Sequence, residues 1–122
     1  AIGEPETVPA GKYGREVLQS LKLWDGVQSK LVFTNNVRQV LTYVESGNVE
    51  AGLVYKSDLY GSEKAKEIAP APADSHSPIV YPAAVVSDSK QKEAAADFLA
   101  FLCTPEAGQI FSKYGFDPLA KQ

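Results

Sequence analysis

The chain has 122 residues, of which 44% are hydrophobic and 22% charged, and its formal net charge is −3. This length and composition fit one globular domain that buries roughly two-thirds of the surface that its unfolded form exposes. Twelve basic residues stand against fifteen acidic ones without any Lys/Arg cluster, which argues against a nucleic-acid partner. The apolar runs are shorter than the roughly 20 residues needed to cross a bilayer, so no membrane span is expected.

The first predicted elements are a strand and a helix. Ala1–Gly3 resembles the end of a strand and has neither Met nor a signal peptide before it, so we expect the chain to be a fragment. Apolar residues at helical spacing predict a helix from about Pro9 to Leu21. Pro9 suits its first turn, where no amide hydrogen is needed. The stripe that this helix should bury comprises Tyr13, Val17, Leu18 and Leu21, and Trp24 should cover the helix end.

The next elements are a short strand and a second helix. Lys30–Phe33 is the strand candidate, and either Asn35 or Asn36 can cap the helix that follows. Gly47 should end this helix. Its apolar positions are Val37, Val40, Leu41 and Val44.

A third strand completes an alternating pattern. Val49–Tyr55 is mostly apolar, as expected for a strand of a parallel sheet that is covered on both faces, and Lys66–Ala69 is a weaker candidate for an edge strand. Strands that alternate with helices predict an α/β fold with a mostly parallel sheet and right-handed crossovers. In such a sheet the helix N-termini gather at the carboxyl ends of the strands, where ligands bind.

The second half of the chain follows the Pro-rich segment PAPADSHSP, residues 70–78, which predicts a linker or hinge. Ile79–Ser87 is predicted as a strand around Pro82. A helix over Gln91–Cys103 should bury Cys103 as a structural thiol, because no second Cys exists. Its other interior positions would be Ala94, Phe98, Leu99 and Leu102.

The last predicted helix has clear signals at both ends. Thr104 is a suitable N-cap, and Pro105 suits the first helical turn. Gly115 is a typical residue just beyond a helix end.

Three hydrogen-bond donors are expected at one edge of the predicted sheet. Ala10 opens the first helix, Val37 opens the second, and Tyr55 ends the third strand. Two helix N-termini carry positive dipole ends and a phenol adds a neutral donor, so the three could hold an oxyanion without Lys or Arg. The alternative is purely structural, since every α/β sheet has helix starts at this edge.

Catalytic and metal sites have weaker support. His76 stands beside Asp74, Ser75 and Ser77, but neighbours in an extended segment point apart, so a Ser-His-Asp triad is not expected. His76 is better interpreted as a capping or hinge residue. No acidic pair has the helical spacing beside a His that a metal site needs, so no metal cation is predicted.

Four segments together resemble the periplasmic molybdate-binding proteins of ABC transporters, in the type II periplasmic binding protein family. They are GEPETVPAGKYGREVLQSLKLWD, NNVRQVLTYVESGNVEAGLVYKSD, ADSHSPIVYPAAVV and AADFLAFLCTPEAGQIFSKYGF. The resemblance implies a non-enzymatic, extracytoplasmic receptor that delivers molybdate or tungstate to an ABC permease, with no cofactor. By motif, it assigns ligand binding to the amides of Ala10 and Val37 and to the Tyr55 hydroxyl.

The resemblance also implies an incomplete site. Residues 1–81 would form the second, C-terminal lobe of a two-lobe α/β protein, and residues 82–122 the strand and helices that cross back toward the first lobe. That first lobe, with its serine donors, would precede Ala1, so weak or no binding is expected of this chain. A released strand exposes an unpaired edge, which predicts a homodimer, with exchange of elements as one form of it.

Three other functions remain open from the sequence. An effector-sensing domain of a transcription regulator can share the two-lobed architecture. An enzyme could hold a substrate phosphate at the same helix starts, with His76 or Tyr55 as proton carrier. A purely structural pairing module would use the exposed strand but would leave the three donors at one edge unexplained.

Overall fold

The structure, a computed structural model, describes residues 1–118 of the chain. The chain divides into two compact units, Ala1–Pro78 and the part from Ile79 onward, and each is taken by itself below. Within residues 1–118, none of the helices combines the length and apolar character required to cross a membrane.

The first unit alternates strands and helices. Its strands β1 and β2 are Ile2–Gly3 and Phe33–Thr34. Its α-helices α1, α2 and α3 are Pro9–Ser20, Trp24–Val27 and Val37–Glu45. Short 3-10 helices occupy Gln28–Lys30, Lys56–Leu59 and Ala73–Ser75.

The sheet is parallel and centres on β1. Strand β1 pairs with β2 in the register Ile2 to Phe33 and Gly3 to Thr34. On the opposite edge of β1, the amino group of Ala1 donates to the Ala51 carbonyl at 2.7 Å, and the Leu53 amide donates to the Ala1 carbonyl at 3.1 Å. The two hydrogen bonds join Ala1 to the residues on either side of Gly52, which is the pattern of a parallel β-ladder. Residues 51–53 therefore run parallel to β1.

Helix α1 packs directly on β1. Val17 is buried, as the sequence predicts, whereas Leu21 at the helix end is 44% exposed. The close approach depends on Gly11, because a Cβ there would collide with the Gly3 carbonyl. Trp24, which the sequence predicts to cover the end of α1, instead begins α2 and is half-buried. The Arg15 guanidinium carbon lies over its ring, 5.3 Å from the ring centroid.

Helix α3 forms as the sequence predicts. Asn36 is its N-cap, and Gly47 follows its end with a φ of 73°. Val40 and Leu41 face the core, and Val40 is completely buried. Gly52 lets the backbone approach this helix, because a Cβ at that position would lie 2.5 Å from Val40 Cγ1.

Two of the predicted strands are absent, and two others are shorter than predicted. The strand expected over Lys30–Phe33 begins only at Phe33, after a 3-10 turn, and Val49–Tyr55 pairs only around Gly52. Lys66–Ala69 and Ile79–Ser87 contain no strand. Apolar and β-branched residues indicate that a segment suits a sheet, but a strand also requires a neighbour for its amides and carbonyls. Within residues 1–118 the sheet consists of β1 and β2, and neither of these last two segments pairs with it.

The second unit contains α4, Lys92–Leu102, and α5, Pro105–Lys113, which pack against each other. Thr104 caps α5 as predicted, and Gly115 follows with a φ of 84°. The ring of Phe116 contacts those of Phe111 and Tyr81 edge to face, with centroids 6.4 and 5.6 Å apart. Local capping signals therefore fix the ends of α5.

The predicted interior of α4 is largely wrong. Cys103 and Ala94 are exposed, Phe98 is 57% exposed, and Leu99 and Leu102 are only half-buried. Burial needs a surface that covers the helix, and within residues 1–118 the element that packs on α4 is α5, which covers only part of it.

Candidate functional site

Three neighbouring chain segments lead to one edge of the parallel sheet. Strand β1 runs into α1, strand β2 runs into α3, and residues 51–53 run into Tyr55. Because the three segments are parallel and adjacent, their carboxyl ends lie at the same edge. The structure thus brings Ala10, Val37 and Tyr55 to this edge, while the role of each in ligand binding stays a prediction.

The start of α1 has no side-chain cap. Val8 is extended at the cap position, Pro9 occupies the first helical position, and no acidic residue lies in the first turn. The amides of Gly11 and Lys12 donate to the Val8 carbonyl at 2.9 and 3.1 Å. Ala10 therefore carries the first amide of the helix, in a residue that is only 7% exposed. An N-terminus of this kind has a positive dipole end that no side chain neutralises.

Side chains stabilise the start of α3 through amides other than that of Val37. Asn36 Oδ1 accepts from the Gln39 amide at 2.9 Å, and Gln39 Oε1 accepts from the Asn35 amide at 3.1 Å. Val37 is the first helical residue and is half-buried. Its amide is not the one that Asn36 caps, which belongs to Gln39. The buried Thr34 hydroxyl donates to the Asn36 carbonyl at 2.9 Å and fixes the turn between β2 and α3.

Tyr55 is held by a reciprocal pair of hydrogen bonds. Its amide donates to Asp58 Oδ2 at 2.9 Å, and the Asp58 amide donates back to the Tyr55 carbonyl at 3.0 Å. Tyr55 is half-buried and extended, with φ −74° and ψ 150°, just before the 3-10 helix Lys56–Leu59. The sequence prediction named Tyr55 but missed Asp58, although the three-residue spacing of a capping pair could have revealed it.

The edge suits a negatively charged ligand more than a cation. Helices α1 and α3 both present their N-terminal ends there, and neither has an acidic residue in its first turn. Amides and a phenol are donors, so they bind an anion with several acceptor oxygens. Within residues 1–118, no cluster of three His, Cys, Asp or Glu residues could hold a metal ion.

The residues around His76 form a structural contact. His76 Nδ1 lies 2.9 Å from the Ser77 carbonyl, and its ring meets that of Tyr13 edge to face at 6.2 Å. The Ser75 hydroxyl donates to the Pro72 carbonyl at 2.6 Å instead of to a histidine nitrogen. These bonds do not form the Ser-His-Asp relay that a hydrolase needs.

Glu16 is a further residue that the sequence prediction missed. Its carboxylate accepts from the Ser77 amide at 2.6 Å and from the Ser77 hydroxyl at 3.2 Å. These hydrogen bonds lower the pKa of Glu16 from its ordinary value of 4.5, and the positive charge of Lys12 adds to the effect. The carboxylate ties the end of the Pro-rich segment to α1, and a separation of 61 residues leaves no local signal for this pair.

With this geometry in view, comparison with known proteins identifies the family. The family described as "Bacterial extracellular solute-binding protein" matches residues 1–117. The chain belongs to this family. Its members are substrate-binding proteins and not enzymes, and the resemblance stated from the sequence motifs is confirmed.

Two relatives are similar in sequence to nearly the whole of this chain. YvgL of Bacillus subtilis (strain 168), provisionally named an ABC transporter substrate-binding lipoprotein, is 53% identical over 116 residues, which are 95% of this chain and 45% of YvgL. The molybdate-binding protein ModA of Escherichia coli (strain K12) is 42% identical over 116 residues, with the same coverage of each chain.

A solved structure confirms the fold class. The chain is similar to the substrate-binding domain of a protein from Clostridium difficile, provisionally named a molybdenum ABC transporter, with a TM-score of 0.86 and 42% identity. The match covers 97% of this chain and 52% of that one. The fold is that of a periplasmic-binding-protein-like α/β domain, and the chain spans about half the length of the relatives that it matches.

Proposed function

We propose that this chain contributes a half-site for molybdate or tungstate in the solute receptor of an ABC importer. The observation that carries the proposal is the position of Ala10, Val37 and Tyr55 after three adjacent parallel segments at one sheet edge. The 42% identity to ModA, a molybdate-binding protein, supports this choice of ligand. The receptor acts outside the cytoplasmic membrane and passes the anion to a permease.

The proposed site binds its ligand with neutral donors. The amides of Ala10 and Val37 and the Tyr55 hydroxyl donate to the oxygens of a tetrahedral dianion, and the two helix dipoles favour its charge. A fully deprotonated ligand suits a site made of donors, because it offers acceptors only. Rigid amides also fix the cavity size, which favours the larger molybdate over sulfate.

The proposed mechanism needs a second lobe. Residues 1–81 serve as the C-terminal lobe and residues 82–122 as elements that return toward the first, and closure about the hinge completes the shell of donors around the anion. With one lobe alone, about half of the hydrogen bonds have no replacement, and each bond to a charged group contributes about 1.5–3 kcal/mol. The chain alone therefore binds weakly or not at all.

Titration calorimetry on the two-lobe receptor tests the proposal. Tyr55→Phe should weaken molybdate binding by about 1–3 kcal/mol, because one donor is lost while the ring stays. Tyr60→Phe is the matched control, since Tyr60 is 54% exposed and lies outside the proposed set of donors. An unchanged dissociation constant for Tyr55→Phe removes that residue from the site. Sulfate binding as tight as molybdate binding removes the proposed specificity.

We also propose that the chain by itself forms a homodimer, with exchange of elements as one form. Support comes from apolar side chains of the second unit that are exposed, among them Val80, Tyr81, Val86 and Phe98. Sedimentation at increasing protein concentration should show a monomer–dimer equilibrium. A compact monomer at the highest concentration contradicts the dimer and leaves the proposed ligand site untouched.

A further inference from the structure

We propose that Asp58 is a positioning residue for Tyr55, which fixes the backbone from which the phenol extends without touching the ligand itself. The inference rests on the proposed oxyanion function and deepens it. It explains how a tyrosine at the end of a short extended segment can serve as a donor with a fixed direction.

The first observation is the closed ring of bonds between the two residues. The Tyr55 amide donates to Asp58 Oδ2 at 2.9 Å, and the Asp58 amide donates to the Tyr55 carbonyl at 3.0 Å. Both backbone polar groups of Tyr55 are thus engaged by one residue. Fixing both groups restricts the rotation about the Tyr55 backbone bonds and thereby the starting direction of its side chain.

The second observation is that this turn is joined to α3. The 3-10 helix Lys56–Leu59 packs against α3. The Ser62 hydroxyl donates to Glu45 at the end of α3 at 2.7 Å and accepts from the Ala65 amide at 3.1 Å. Helix α3 begins at Val37, so the turn that holds Tyr55 is anchored to the element that carries a second proposed donor.

The acceptor oxygen of Asp58 can be separated from its charge. A carboxylate close to a bound dianion repels it, so the negative charge of Asp58 cannot itself favour binding. Its acceptor oxygen is the useful group, and the side-chain amide of asparagine offers an equivalent oxygen. The positioning role therefore predicts that the acceptor matters and the charge does not.

The test uses the two-lobe receptor and molybdate calorimetry. Asp58→Ala should weaken molybdate binding about tenfold, because it removes the acceptor. The dissociation constant of Asp58→Asn should stay within about threefold of that of the unaltered protein. Asp25→Ala is the matched control, since it removes an exposed carboxylate from the first turn of α2 and should leave the affinity unchanged. In a Tyr55→Phe background, Asp58→Ala should add little, because the two residues act through the same hydroxyl.

The outcomes separate this inference from the proposed function. If Asp58→Ala binds molybdate with full affinity, the positioning role is overturned and the role of Tyr55 as a donor is unaffected. The same follows if Asp58→Ala lowers the affinity as much in the Tyr55→Phe background as in the unaltered protein. If Asp58→Ala does not fold, Asp58→Asn still tests the role, since a loss of about tenfold there contradicts a role that depends only on the acceptor. If Tyr55→Phe binds normally, the proposed donor and the positioning role fail together.

Discussion

The two compact units differ in how fully they bury their apolar residues. The first unit contains a parallel sheet with helices packed on it, and its buried hydrophobic residues are Ile2, Val8, Ala10, Val17, Val40 and Leu41. In the described part of the second unit, Ala107 is the one buried hydrophobic residue, while large side chains such as Phe98 and Ile110 are exposed.

The difference shows that local signals and tertiary burial act separately. Each unit contains a helix with a side-chain cap, α3 in the first and α5 in the second, because a cap depends on residues three apart in the sequence. In the part of the chain that the structure describes, the first unit alone brings sequence-distant strands together to give a core. The first unit should therefore depend on its packed side chains, and the second on the stability of its helices.

The largest expected effect on stability comes from replacing one isoleucine in each unit with alanine. Ile2→Ala should destabilise the first unit by about 2–5 kcal/mol, because Ile2 is 1% exposed and the change leaves a cavity. Ile110→Ala should cost about 1 kcal/mol or less, because Ile110 is 47% exposed. Denaturant unfolding measures both. Equal losses would show that the second unit has a core as tight as the first.

Removing an N-cap from each unit should have a smaller effect. Asn36→Ala and Thr104→Ala should each cost about 1 kcal/mol, because each leaves a helix amide without its acceptor, the Gln39 and Ala107 amides respectively. Trp24 is the only tryptophan and lies in the first unit, so its fluorescence follows that unit, while circular dichroism follows both. If the units unfold independently, Thr104→Ala shifts only the dichroism transition. A matching shift in fluorescence would show that they unfold together.

The smallest expected effect is the pH dependence of the Glu16 contact. The pKa of Glu16 is lower in the folded chain than its ordinary value, so the ionised carboxylate stabilises the fold above about pH 4.5. That contribution disappears as the pH falls through the lowered pKa. Stability curves of the unaltered protein and Glu16→Gln should differ at neutral pH and converge in acid. Curves that stay parallel would mean that the charge of Glu16 contributes nothing.

The sequence predicted four of the five α-helices within residues 1–118 and missed the short helix α2. The cap at Asn36, the helix ends at Gly47 and Gly115, and the start at Pro9 all depend on neighbouring residues, and the structure confirms each of them. Ala10, Val37 and Tyr55 were selected for the same reason, since a helix start or a strand end can be recognised locally. Their role in ligand binding stays a prediction.

What the amino-acid order determined by itself was therefore helices α1, α3, α4 and α5, the caps of α3 and α5, and the membership in the solute-binding family, because each depends on local patterns or motifs. Only the tertiary structure decided which apolar segments pair, since Ile79–Ser87 suits a sheet but forms no strand of the sheet within residues 1–118. It also decided the exposure of Cys103 and the bonds from Glu16 to Ser77. Pairing and burial depend on distant parts of the chain, and a local pattern carries no information about the partner.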